Sequence, residues 1–144
     1  MTKKFLITSA IATLIGFMTV PAKANDVFIE QYGFAHSAGG AQTGYKNRIG
    51  IHQRGRSNNA IANQKGWRNL VAIGQDGYNN AADVYQRGRR NNAGVGQFGS
   101  NHTSIVTQDG HGNIAAGVQV GKGCSADVKQ EGGGNVAAFV QACR

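Results

Sequence analysis

Every glutamine in the chain stands on one arithmetic ladder: Gln31, Gln42, Gln53, Gln64, Gln75, Gln86, Gln97, Gln108, Gln119, Gln130 and Gln141, always eleven residues apart. Two residues after each of the first ten comes a glycine: Gly33, Gly44, Gly55, Gly66, Gly77, Gly88, Gly99, Gly110, Gly121 and Gly132. Five residues after, asparagine dominates, at Asn47, Asn58, Asn69, Asn80, Asn91, Asn113 and Asn135, with His36, His102 and Cys124 in its place elsewhere. A spacing held this strictly is an internal repeat, and the fold must be built from it.

An eleven-residue period also suits a helical supercoil. That reading fails, because each unit holds a glycine and usually an asparagine, both poor in helix interiors. The places seven and nine after each glutamine are mostly Ala, Val or Ile, as in Ile49 and Ile51 or Val71 and Ile73, and the next glutamine follows two later. Inward residues at every second place are the mark of one strand face. Each unit therefore predicts a short strand ending near its glutamine, then a turn. There glycine permits positive φ, and asparagine takes a left-handed conformation and caps its own backbone.

Two such units close a rung, so the predicted class is all-β: a β-solenoid of 22-residue rungs with two stacked parallel sheets, amyloid-like in spacing. With rungs about 4.8 Å apart, five rungs and a fragment give a stack of roughly 24 Å. The interior is thin, and identical amides in register can hydrogen-bond along the stack. That is how a chain with 22 glycines and few large apolar side chains can still fold.

The first residues read differently. Lys3 and Lys4 precede a mostly apolar run from Phe5 to Val20, and Pro21 leads into Ala22-Lys23-Ala24. This predicts a secretory signal peptide over 1–24 and a repeat domain over 25–144. A membrane anchor is the alternative, and the run is short for it. Without Lys3, Lys4 and Lys23 the chain keeps 12 basic against 7 acidic residues. Export brings Cys124 and Cys143 into an oxidising compartment. They fall in turns one rung apart on the same side, three places out of step; a disulfide between them is expected, with free thiols or a crosslink between copies as the alternatives.

The unit seen at Gln53-Arg54-Gly55, with Asn58, Ala60 and Gln64, resembles the curlin repeat, and the resemblance covers residues 25–144. It implies a subunit of curli, the amyloid fibres of bacterial surfaces and biofilm matrix. It also implies export through the periplasm and an outer-membrane curli secretion apparatus, assembly outside the cell, and a second curlin subunit as partner. Whether this chain would be the major subunit or the nucleator is left open by its residues.

Chain ends and faces carry the functional expectations. Nothing in the last repeats reads as a cap, so an end rung can pair with another copy by strand addition. Ile114, Ala116 and Val118 should lie over Val136, Ala138 and Val140 as an outward apolar patch for lateral association or docking. Tyr45, Lys46, Arg48, Lys65, Trp67, Arg68, Arg87, Arg89 and Arg90 gather on one turn edge. They form a candidate anion-binding edge for extracellular DNA or anionic polysaccharide, against the plainer reading of a solvated edge.

Catalytic readings find no support. The carboxylates are scattered over different repeat places, so no acid–base pair recurs. His36, His52, His102 and His111 lack metal-ligand spacing, and the glycines lack the Lys-Ser/Thr of a phosphate loop. No cofactor is called for. The competing class is a monomeric secreted solenoid that binds an extracellular ligand.

Overall fold

A computed structural model describes residues 25–144; the segment 1–24, read as a signal peptide, lies outside the described residues. Eleven strands form, one per repeat unit: β1 (Asp26–Phe34), β2 (Ser37–Tyr45), β3 (Arg48–Arg56), β4 (Asn59–Trp67), β5 (Leu70–Tyr78), β6 (Ala81–Arg89), β7 (Asn92–Ser100), β8 (Thr103–His111), β9 (Ile114–Lys122), β10 (Ser125–Gly133) and β11 (Val136–Cys143). The odd strands make one sheet in the order β1-β3-β5-β7-β9-β11, and the even strands make the other, β2-β4-β6-β8-β10. All pairs are parallel, and each residue sits beside the one 22 places on, as in Gln53 beside Gln75 and Gly55 beside Gly77. The molecule is a two-sheet β-solenoid of 22-residue rungs.

The core follows the places seven and nine after each glutamine. Ile49, Ile51, Val71, Ile73 and Val95 from the odd sheet meet Ala60, Ala62, Ala82, Val84 and Val106 from the even sheet. No side chain of this buried cluster is larger than isoleucine, which keeps the interior thin. Phe139, in the last strand, is accommodated because its neighbour one rung below is Gly117; a Cβ there would overlap the ring. Ser104 takes an alanine place in this core, and its buried hydroxyl has no partner among the described residues.

Two expectations about the turn need correction. The strands do not end near the glutamine: β3 runs three residues past Gln53 and contains Gly55, whose φ is 112°. The glycine is thus a bend inside the strand, and the turn proper is shorter. Nor is asparagine the left-handed residue. That conformation belongs to the place before it, at Ala35, Lys46, Ser57, Arg68, Asn79, Arg90 and Asn101 with φ of 54° to 58°, and at Gly112, Gly123 and Gly134 with φ of 66° to 71°. The reason is spatial. The asparagine side chain must point inward to bond the stack, so the strained residue is the one ahead of it.

Candidate functional site

The glutamines form two continuous hydrogen-bonded rows. In the odd sheet each Nε2 donates to the Oε1 one rung on, from Gln31 through Gln53, Gln75, Gln97 and Gln119 to Gln141, at 2.7–2.8 Å. The even sheet repeats this from Gln42 through Gln64, Gln86 and Gln108 to Gln130, at 2.7–2.8 Å. Except at Gln31 and Gln64, the second N–H of each amide reaches a backbone carbonyl; Gln75 donates to Asn59 and Gln86 to Leu70. Gln53, Gln64, Gln75, Gln86, Gln97, Gln108 and Gln119 are all buried. Burial without these partners would cost several kcal/mol for each amide, so the rows hold the sheets in register.

The asparagines are stacked too, but through the backbone rather than amide to amide. Asn47 Oδ1 accepts from the Asn69 N–H at 3.0 Å, and Asn47 Nδ2 donates to the Gly66 carbonyl at 3.0 Å. Asn58, Asn69, Asn80, Asn91 and Asn113 reach Gly77, Gly88, Gly99, Gly110 and Gly132 in the same way. Asn135, in the last turn, instead donates to Asn113 Oδ1. His36 and His102 stand in for asparagine: Nδ1 accepts from the Asn58 and Cys124 N–H groups, and Nε2 faces the Tyr32 and Phe98 carbonyls. Both therefore need the Nε2–H tautomer.

The glycine column closes this lattice. A Cβ built on Gly33, Gly44, Gly55, Gly66, Gly77, Gly88, Gly99 or Gly110 would overlap the carbonyl oxygen of the next glycine in the stack, and one on Gly121 would overlap that of Cys143. Among the described residues no rung lies above Gly132, and only its positive φ of 91° calls for glycine.

Four strand edges lie open among the described residues: β1 and β2 at one end, β10 and β11 at the other. Core-facing residues are bare there, Val27 at 48 % and Ile29 at 39 % of full exposure. Buried Gln42 Oε1 has no partner among the described residues, since it begins its row.

The two outer faces differ. The even sheet shows Lys65, Asp83, Arg87, Asp109, Lys129 and Glu131, whereas the odd sheet carries a shallow apolar groove of about 680 Å³ along the stack. The expected patch is present, with Val136, Ala138 and Val140 beside Ile114, Ala116 and Val118. The groove continues from it past Gly94 and Gly50 to Phe28. Its sequence signal is a column of small residues, Gly50, Ala72, Gly94, Ala116 and Ala138, spaced by one rung.

The basic residues also stack by rung. Lys65 and Arg87 are neighbours, as are Trp67 and Arg89. Lys46 lies 5.1 Å from the Tyr45 ring, while Arg68 and Arg90 lie 4.7 and 5.8 Å from Trp67, so these rings are engaged by the chain's own cations. Arg48, at the start of β3, lines the same hollow as Lys46 and Arg68 and lies 3.7 Å from Asp26.

The curlin associated repeat matches residues 23–53, 46–77 and 77–110, spanning 88 of the 144 residues. The chain belongs to the curlin repeat family. No curated protein matches it. A curlin repeat carried on a β-solenoid fits a structural subunit of a curli-like fibre, in a family whose members form extracellular fibres.

In this curlin chain Cys124 and Cys143 are joined, with Cα atoms 5.6 Å apart and a sequence separation of 19. The three-place offset is the one the turns use throughout, because Asn47 reaches Gly66 across the same 19 residues. The disulfide is thus a covalent form of the asparagine-to-glycine contact. Closing such a loop contributes about 3 kcal/mol in the chain-entropy model. Stability in a stacked repeat is local. Reduction should therefore raise amide exchange in β10 and β11 by roughly a hundredfold while β3 to β8 change little. Exchange that rises equally everywhere, or not at all, would contradict this.

Proposed function

We propose that the chain is an exported structural subunit of a curli-like amyloid fibre. It polymerises by adding the end rung of one copy to the first rung of the next, outside the cell, with itself and with a second curlin subunit. The carrying observation is the pair of ends left open among the described residues: bare core residues and unpaired strand edges bound a lattice with the same hydrogen-bonding period throughout. Soluble β proteins cover or charge such edges. A matching edge on another copy would satisfy these groups with no change in the rest of the molecule. Passage through the periplasm and an outer-membrane curli pore is part of this reading, supported by the sequence of residues 1–24 and by the family.

Purified residues 25–144 should convert to thioflavin-positive fibres after a lag, and preformed fibres should abolish that lag. A chain that stays monomeric for days at micromolar concentration, seeded or not, would refute the proposal.

A further inference from the structure

We infer that successive copies join out of phase: the odd sheet of one continues into the even sheet of the next, with β1 on β10 and β2 on β11 of the preceding copy. This rests on the head-to-tail assembly proposed above.

The strand count comes first. Eleven strands alternate between two sheets, so the described solenoid ends half a rung out of step. At its start β1 lies half a rung below β2; at its end β10 lies half a rung below β11. The lower leading strand fits the lower vacant place, over β10. Joining odd sheet to odd sheet instead would leave one strand's width, about 4.8 Å, empty above β10.

Side chains make the same choice. With glutamines aligned, the proposed joint sets Gly40 of the incoming copy against Phe139. Within the chain the Phe139 ring already needs a glycine beside it, Gly117. The other joint would put Ile29 there. Val27 and Ile29, bare in the single chain, gain Ala126 and Val128 as neighbours. Glu30 comes to lie beside Lys129, an opposite-charge pair on the outer face. In the other joint Glu30 would meet Val140, and Lys129 would face the empty place.

The amide rows also cross the boundary. Gln141 Nε2 donates one N–H to the Ser125 carbonyl at 2.9 Å and has a second to give. Rows run in one direction, each glutamine donating to the next rung, so this N–H points toward Gln42 of the incoming copy, the first glutamine of its row. Gln130 likewise reaches Gln31.

A half-turn between copies follows. The apolar groove and the basic edge then alternate from side to side along the fibre, with an axial repeat of two copies, about 53 Å at the usual strand spacing.

The test uses residues 25–144 with the native disulfide intact. Glu30→Cys combined with Lys129→Cys, both at outward places, should yield fibres that oxidise into covalent dimers, trimers and longer ladders on non-reducing gels. Each single variant, and Glu30→Cys combined with Val140→Cys, should remain monomeric after oxidation. Ladders from the Glu30/Val140 pair, or fibres in which neither pair links, would overturn the joint while leaving assembly intact. An unmodified chain that forms no fibres would overturn the assembly reading and the joint together. Cryo-electron microscopy of unmodified fibres gives an independent readout: subunits related by a half-turn support the joint, and subunits presenting one continuous apolar groove refute it.

Discussion

Replacing Gly88 by alanine should prevent the solenoid from folding, whereas the same change at Gly94 should leave it intact. Gly88 holds φ at 113°, and a Cβ there would overlap the Gly110 carbonyl oxygen. Positive φ alone costs an alanine about 1–3 kcal/mol. The overlap adds to it, because the two rungs must part. Their parting strains the ladder on both sides, including the bond from Asn69 Nδ2 to the Gly88 carbonyl at 3.0 Å. Each such bond contributes about 1 kcal/mol net. The total is comparable with the whole stability of a domain, about 5–15 kcal/mol. Gly94 faces outward with ordinary φ, and nothing lies within 4 Å of an added Cβ. Alanine there should be neutral, or stabilise by up to about 1 kcal/mol through the unfolded chain. Urea unfolding of the two variants decides the matter; equal midpoints would show that the glycine column is not a steric requirement of stacking.

Gln86→Leu is expected to lower stability by about 2–5 kcal/mol although it keeps the volume of a buried side chain. Gln86 accepts from Gln64 at 2.8 Å and donates to Gln108 at 2.7 Å and to the Leu70 carbonyl at 3.0 Å. Leucine leaves an N–H and two carbonyl oxygens buried without partners. Replacing a whole polar network by apolar groups can be neutral. That remedy is closed here, because the row continues above and below, and a single change always orphans two neighbours. The loss should appear in the urea midpoint and as slower seeded growth. A variant as stable as the parent would mean that the rows merely fill space.

The strands and core of this molecule were readable because inward places repeat a small set of residues. Ile49, Ile51 and Gln53 are buried and alternate with half-buried Gly50 and exposed His52 in the strand that the spacing predicts. The left-handed place was not readable in the same way. Ala35, Lys46, Ser57 and Arg68 share no side-chain character, since the requirement falls on the backbone and the side chains point to solvent. Gly112, Gly123 and Gly134 at that place were the one compositional hint.

The asparagines were recognisable as a column, but not their bonding to backbone one rung on. That depends on how far a short amide reaches from the turn. The same reach explains why Cys124 and Cys143, three places out of step, lie close enough to bond. The groove on the odd sheet was seen only where it is lined by valine and isoleucine. Toward Gly50 it is made by absence of side chains, and an absence has shape only once the strands are stacked.

The central claim is that glutamine rows run along the fibre axis within each chain. Solid-state nuclear magnetic resonance on fibres labelled at the glutamine side-chain amides tests it most directly. The account predicts contacts from each Nε2 to the side-chain carbonyl 22 residues on, Gln64 to Gln86 and Gln86 to Gln108 among them. Contacts joining each glutamine to its own counterpart in another copy, as in a flat in-register stack, would contradict it.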